Sequence, residues 1–314
     1  MTDLIGLYSD HKIAAPLAIA QRSAKFKPFA AEIARRGILQ ISTCVRLEFY
    51  GEKSVLEDIH GKPFFGFSYG RVEGAIPIAE RLATIAAGVH SQILGEGFIY
   101  DQLVQAIESG DPNLSIFKVA RIAVDLGSAA RKRQEFFAEF DYVQIVEDMI
   151  EDRFSDNAPL DRIYIIGAGM LGQELIRGNV GERFRSTVVI TRNPKKLRKR
   201  LSTGLKTNVT FMRPSEVGRT REPGSMVVIA TTDVDDKYKA ILQETLLRLG
   251  PRIILDLSSI PVLTREAIGE LDYVNMYGEE FLRFIEQNNQ RLAPKLPLVV
   301  SDIKAALGAA VEGA

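Results

Sequence analysis

The sequence has no tryptophan, one cysteine and three histidines among 314 residues, and its 40 basic side chains equal its 40 acidic ones. Each shortage excludes something. A lone thiol, Cys44, forms no internal disulfide and supplies no cysteine cluster for structural zinc. His11, His60 and His90 lie far apart and show no ligand spacing, so no metal is expected. A formal net charge of zero counts against a protein that holds nucleic acid mainly through its phosphates. DNA is therefore not an expected partner, although an enzyme that grips only the end of an RNA stays open. No apolar run approaches the roughly 18 residues that span a bilayer. Met1-Thr2-Asp3 lacks the basic flank and apolar core of a secretory signal. The expectation is a cytoplasmic protein with no membrane partner.

What is present is enough apolar sequence, 46% of residues, for two ordinary cores. Leu4 to Tyr8, Ile38 to Ser42 and Leu47 to Tyr50 read as short strands, with helical spacing at Phe29, Ile33 and Ala34 between the first two. From Pro77 to about Arg133 the pattern turns helical, with Ile78, Leu82 and Ile85, then Phe117, Ala120, Ile122 and Val124, at steps of two to four. A linker near Ser155-Asp156-Asn157-Ala158-Pro159 precedes a change of rhythm. Ile163 to Ile166, Val188 to Ile190, Val209 to Phe211, Met226 to Ile229 and Ile253 to Leu255 are β-branched runs separated by helical stretches. Such runs suit strands buried on both faces of a parallel sheet. The expected class is α/β: an α+β domain over 1–150, a Rossmann-like doubly wound domain over 151–290, and a short helical tail over 291–314. The tail has helical apolar spacing at Val299, Val300, Ile303 and Leu307 and is expected to pack back on its own chain.

Gly167-Ala168-Gly169-Met170-Leu171-Gly172 follows a strand and opens a helix, the context in which a GxGxxG motif is specific. These six residues are expected to cradle a pyrophosphate on the positive end of that helix. A glycine-rich turn without a ligand is the alternative. An acidic side chain after the second strand would favour NAD. Thr191-Arg192-Asn193 stands there instead, and a guanidinium suits a 2′-phosphate. NADPH is the expected cofactor, with Arg192 as its selector. The lysines and arginines that follow read as a solvated helix face.

Cys44 lies between two apolar strands, where a cysteine is commonly a small buried hydrophobe. Arg46, two residues on, is a cation that could lower its pKa. Ser42-Thr43-Cys44-Val45-Arg46-Leu47-Glu48-Phe49-Tyr50 resembles the S-T-C-N-R-x-E-x-Y segment of glutamyl-tRNA reductases. Gly88-Val89-His90-Ser91-Gln92-Ile93-Leu94-Gly95-Glu96 is similar to that family's G-L-D-S-x-V-x-G-E. Ile5-Gly6-Leu7 with His11-Lys12 resembles its opening. Ala230-Thr231-Thr232 and Asp256-Leu257-Ser258-Ser259-Ile260-Pro261 fall where its nucleotide domain has A-T and D-I-x-x-P.

The resemblance implies that 1–150 is catalytic, with Cys44 as nucleophile and Thr43, Arg46, Ser91, Glu96 and Gln102 holding the aminoacyl end of the substrate. It places Thr231 at the cofactor. It implies an oxidoreductase that takes a charged tRNA, glutamyl-tRNA by default, through a cysteine thioester to an amino aldehyde. The implied setting is tetrapyrrole (porphyrin) biosynthesis, with a downstream aminotransferase as partner. Departures are Val45 for asparagine, His90 for aspartate, Arg81 for histidine, and Gly97 and Phe98 for proline and glutamine. The family's spinal helix and C-terminal dimerisation domain have no evident counterpart before Ala314, so the family's usual dimer is not expected through that region. Two other readings stand beside this one: an NADP-dependent reductase of a small carbonyl compound without tRNA, and a non-catalytic NADP-binding regulatory homologue.

Overall fold

The computed structural model describes residues 3–57, 64, 66–138, 142–154, 160–167, 169–178, 180, 182–201, 209–218, 220–231, 235–258 and 260–311. Two compact units emerge, one formed by Met1–Glu139 with Ile285–Ala314 and the other by Phe140–Phe284.

The first unit begins with strand β1 (Leu4–Asp10) and helices α1 (Pro16–Phe26) and α2 (Ala30–Arg35). Strands β2 (Leu39–Ser42) and β3 (Arg46–Glu52), helix α3 (Lys53–Glu57) and strand β4 (Gly70–Glu73) follow. Helices α4 (Ala75–Ala86), α5 (Phe98–Glu108) and α6 (Ser115–Arg133) complete this stretch. The strands make a four-stranded sheet in the order β2-β3-β1-β4, and every neighbouring pair is antiparallel. Strand alternation sends successive side chains to opposite faces. Leu39, Ile41 and Tyr50 therefore join α4 and α6, while Leu47 and Phe49 pack with Ile19 of α1 on the other side. The edge strand β4 was not anticipated, because its half-buried and exposed positions carry no apolar run.

The second unit contains α7 (Tyr142–Arg153), β5 (Leu160–Ile166), α8 (Met170–Arg177), β6 (Phe184–Ile190), α9 (Pro194–Arg200), β7 (Val209–Met212), β8 (Met226–Ile229), α10 (Asp236–Leu249), β9 (Ile253–Asp256), α11 (Arg265–Ile268) and β10 (Asp272–Asn275). Its sheet has the order β10-β9-β8-β5-β6-β7 with every pair parallel. Renumbered within the unit this is the 3-2-1-4-5-6 order of a doubly wound dinucleotide fold, whose topological switch point lies between the first and fourth strands. Strands β5 and β8–β9 read as continuous apolar runs because both faces are covered. The sixth strand, β10, went unread: Asp272 and Asn275 disguise a short edge strand.

Helix α12 (Glu279–Leu292) spans the division, and α13 (Leu296–Val311) returns to the first unit. Val299, Ile303 and Leu307 are buried with α4 and α6 in one core. The unit boundaries thus differ from those at 150 and 290. Ile145, Val146, Met149 and Ile150 bury the stripe of α7 within the second unit, and the apolar face of α13 returns the last residues to the first.

Candidate active site

The tight turn between β2 and β3 presents Cys44 at its tip. Thr43 N–H donates to Arg46 O at 2.9 Å, Val45 N–H to Thr43 Oγ1 at 3.2 Å, and His11 N–H to Val45 O at 3.0 Å. The turn is therefore held by backbone on both sides, and Cys44 is half-buried within it.

Beneath the turn, the period of two along β3 puts Arg46, Glu48 and Tyr50 on one face. Asp10 and Tyr8 stand opposite Arg46 and Glu48 on β1, and Arg81 enters the same space from α4. Arg46 donates from Nη1 to Glu48 Oε1 at 2.8 Å and from Nη2 to His90 O at 2.7 Å. Arg81 donates from Nη2 to Glu48 Oε1 at 2.7 Å and to Asp10 Oδ2 at 3.0 Å, and from Nε to Tyr50 Oη at 3.1 Å. Tyr50 Oη–H donates to Glu48, and the Arg81 guanidinium lies 3.4 Å from the centre of the Tyr8 ring. A side chain on Gly6 would collide with the Tyr50 ring at 2.4 Å, which explains a glycine inside a core strand. Two buried carboxylates thus face two guanidiniums. Burial opposes ionisation of Asp10 and Glu48, but Arg81 and then Arg46 overcome it and hold both carboxyls below their ordinary values.

A loop over 87–97 brings the second group of residues. Gly88 and Gly95 take positive φ, and Gly95 N–H donates to Gly88 O at 3.2 Å. Ala138 N–H and the Arg131 guanidinium both donate to Gly95 O. On the other flank Asn289 Oδ1 accepts from Leu94 N–H at 2.9 Å, Asn289 Nδ2 donates to Gln92 O at 2.9 Å, and Asn288 Nδ2 donates to Leu94 O at 3.0 Å. The loop fixes Ser91 and Glu96. Burial pushes the Glu96 carboxyl up to about 7, against Ser91, Arg46 and Arg131, which favour its charged form. Ser91 Oγ reaches toward that carboxyl without completing a well-aligned hydrogen bond. His90 is driven down to about 4 by burial and by the charges of Arg81, Arg46 and Lys12.

Cys44 departs from expectation. Part of the residue reaches the surface, yet its thiol is densely enclosed, and burial followed by the Glu96 charge pushes it up to about 12. Arg46 does pull the other way, but too weakly to make a resting thiolate, because its guanidinium is already paired with Glu48.

In the second unit the ends of β5, β6 and β8 meet at Gly167, which donates to Ile190 O at 3.2 Å, while Ala230 N–H donates to Ile166 O at 2.7 Å. Gly167 has φ of +123°, and a Cβ there would lie 2.3 Å from Ala230 O. A Cβ on Gly172 would lie 2.5 Å from Gly167 O, so the first turn of α8 sits directly on the strand end. Around Gly169, by contrast, nothing lies within 4 Å of the Cβ position, and no side chain caps the helix there. Met170 and Leu171 open α8. Free space over the N–H groups of a helix start fits a pyrophosphate, and the turn lies at the switch point. Thr231 follows β8, and Arg192, exposed beyond β6, has its guanidinium carbon 5.7 Å from the Tyr238 ring centre. Ala168, Thr232 and Ser259 lie outside the described residues.

The structure thus gathers Cys44, Arg46, Ser91 and Glu96 within electrostatic reach of one another. Thr43 uses its hydroxyl in the turn, and Gln102 is half-buried on α5. Arg46, expected to hold substrate, is 1% exposed and engaged with Glu48 and His90 O. Sequence reading gave no role to Asp10, Glu48, Tyr50 or Arg131. The alternation Arg46-x-Glu48-x-Tyr50 was the available signal for two of them, Glu48 and Tyr50. Among the described residues no group of three or more His, Cys, Asp or Glu could hold a metal ion, and no helix is long and apolar enough to cross a membrane. A cleft of about 480 Å³ between Lys12, Val89 and α13 includes none of the Cys44 set.

No known protein-family profile matches the chain. It is 95% identical over 311 residues to Protein nfe2 of Rhizobium meliloti, covering 99% of this chain and 100% of that one. It is 19% identical over 306 residues to a glutamyl-tRNA reductase of Clostridium beijerinckii, covering 93% of this chain and 74% of the relative. Among solved structures, glutamyl-tRNA reductase from Methanopyrus kandleri aligns over 100% of this chain and 80% of its own, with a TM-score of 0.47 and 18% identity. The parallel six-stranded sheet described above is that of a Rossmann-like, doubly wound fold. The chain belongs to the family of Protein nfe2 and is a divergent relative of the glutamyl-tRNA reductases.

Proposed function

We propose that the chain is an NADPH-dependent reductase that converts an aminoacyl-tRNA, by default glutamyl-tRNA, to an amino aldehyde through a thioester on Cys44. The observation that supports it most is the placement of Cys44 at a backbone-held turn with Ser91 and Glu96 beside it. In this reading Cys44 Sγ attacks the aminoacyl ester carbonyl, the carbon–sulfur bond forms, and the RNA hydroxyl leaves. The Ser91 hydroxyl, buried and short of a full hydrogen bond, is free to donate to the acyl oxygen as charge builds on it. Enclosure of the thiol keeps water from the thioester. Gly167, Gly169 and Gly172 would hold the pyrophosphate of the cofactor, and Arg192 its 2′-phosphate. Bound there, NADPH supplies the hydride that reduces the thioester. The setting would be a cytoplasmic one, with an aminotransferase taking the product aldehyde.

One observation favours a second reading, a small carbonyl substrate without tRNA. Arg81 is engaged by Glu48, Asp10 and Tyr50, and both terminal nitrogens of Arg46 by Glu48 and His90 O, with only the buried Arg46 Nε left without a partner. Neither offers a free fork to a substrate carboxylate. A single assay separates the readings: incubate the protein with NADPH and a panel of charged tRNAs, and trap the aldehyde. Aldehyde from a charged tRNA, lost in Cys44→Ser, is the expected result. NADPH oxidation with simple aldehydes, with none of the charged tRNAs consumed, would replace the first reading by the second.

A further inference from the structure

Asp256, the last residue of β9, is 0% exposed and takes no part in the chemistry at Cys44. Its carboxylate meets four donors. Oδ1 accepts from Ser258 N–H at 2.9 Å and from the Ser258 hydroxyl. Oδ2 accepts from Val262 N–H at 2.9 Å and from the Tyr273 hydroxyl at 2.8 Å. Tyr273 Oη, on β10, also lies 3.2 Å from Leu263 O. All four donors are neutral, so the charge is held by hydrogen bonds rather than by a cation. A buried carboxylate is costly without such bonds.

The consequence is geometric. Ser258 and Val262 are drawn to one side chain, which leaves Ile260 and Pro261, both half-buried, on the short excursion of chain between them. Leu257 N–H donates to Ile229 O at 2.8 Å, so the base of that excursion is tied to the end of β8 as well.

Sheet register fixes where the excursion stands. Ile166, Ile190, Ile229 and Asp256 lie level at the carboxyl ends of β5, β6, β8 and β9. With the 2′-phosphate at Arg192 beyond β6 and the pyrophosphate at the Gly167 turn after β5, a dinucleotide laid across the switch point continues over β8 and β9. Asp256 is two strands from Ile166, roughly 10 Å at the usual strand spacing, on the side away from β6. The nicotinamide half therefore comes to the segment of Ile260 and Pro261, whose aliphatic surface suits the face of an aromatic ring.

We propose that Asp256 is a positioning residue of the cofactor site, clamping Ser258 and Val262 so that Ile260 and Pro261 form the wall against which the nicotinamide ring of NADPH rests. The assignment rests on the dinucleotide reading of the second unit and deepens it by dividing the labour between the two halves of the cofactor. Arg192 selects the phosphate, and the Asp256 clamp orients the ring. An asparagine at 256 keeps the shape but sets an N–H donor against donors already there, which releases one end of the clamp.

Binding alone tests this. The full chain is titrated with NADPH, followed by nicotinamide fluorescence, and with adenosine 2′,5′-bisphosphate, which carries the 2′-phosphate but no nicotinamide, followed by calorimetry. Asp256→Asn should weaken NADPH by about tenfold and diminish the change in nicotinamide emission on binding, while affinity for the bisphosphate stays within about twofold. Ile260→Ala, which leaves the clamp intact, should show the same selective loss in smaller measure, and it carries the test where Asp256→Asn does not fold. A carboxylate that serves stability alone lowers both affinities together or neither. Parallel loss for the two ligands, or unchanged NADPH binding in folded Asp256→Asn, therefore overturns the proposal. With Asp256→Asn unfolded, unchanged NADPH binding by Ile260→Ala does the same. A wild-type chain that binds neither ligand overturns the dinucleotide reading itself, whereas wild-type binding of both without a selective loss in the variants removes only the role of Asp256.

Discussion

Around Cys44, side chains from three separate stretches of chain neutralise one another in the interior: Asp10 from β1, Arg46, Glu48 and Tyr50 from β3, and Arg81 from α4. At the Gly167 turn almost nothing depends on side chains. There the geometry comes from missing Cβ atoms and from the N–H groups of a helix start. The first region is a set of mutual pairings in which each member is costly to remove, since a buried charge left alone is worse than none. The second is a shape, sensitive to added atoms and indifferent to polar exchange elsewhere. Binding sites made of backbone tolerate divergence in surrounding sequence, and those made of buried pairs do not.

The largest break in that contrast should come from Arg81→Met. It strands the carboxylate of Asp10, 4% exposed, and leaves that of Glu48, 0% exposed, to Arg46 and Tyr50 alone, and should cost about 3–5 kcal/mol in urea unfolding. A loss below about 1 kcal/mol would mean that the network is not structural.

The next effect concerns pH, and its sign differs between neighbours. Asp10 and Glu48 are depressed below 3.8 and 4.5, so their stabilisation is present above those values and lost as pH falls through the lower folded ones. Glu96 is raised from 4.5 to about 7, so its contribution is full below 4.5 and declines as pH rises through 7. Glu96→Gln, always neutral, should therefore gain stability over the wild type as pH rises across that window, by about 1–3 kcal/mol at its upper end. Chemical denaturation at several pH values measures it, and a constant difference would show that Glu96 is not raised.

In the second region, Gly167→Ala places a Cβ 2.3 Å from Ala230 O at a φ of +123°. NADPH affinity should fall by about tenfold or more, while melting of the first unit is unchanged. Unaltered affinity by fluorescence titration would remove the turn from the cofactor site. The smallest effect is expected at exposed Arg192. NADPH should bind several-fold more tightly than NADH, and Arg192→Glu should reverse the order by repelling the 2′-phosphate. Equal affinities in the parent chain would end the assignment.

Much of the second unit was legible residue by residue. Four of its strands stand out because both their faces are buried, the edge strand β7 is read from its β-branched residues, and GxGxxG announces its turn because Gly167 and Gly172 admit no side chain. The strand β10 was hidden by polar residues at an edge, where burial no longer dictates side-chain type. In the first unit Cys44 and Arg46 were named from the local sequence and Ser91 and Glu96 through the family resemblance, but their states were not. A thiol beside an arginine reads as activated, and Arg46 reads as a substrate ligand. Local spacing contains no information about what else pairs with a guanidinium. Arg81, more than thirty residues away, and Asp10 on β1 settle that matter, because α4 and the β1–β3 register bring them to Glu48.

The sequence by itself determined the class of fold, the position of the glycine-rich turn after β5 and the identity of the lone thiol, since periodicity, glycine and composition act over a few residues. Only the tertiary structure decided that Cys44 rests protonated, that Glu96 titrates near neutrality, and that α13 completes the first core. Those properties depend on desolvation and on charges brought together by packing, and both are set by the whole fold rather than by neighbours along the chain.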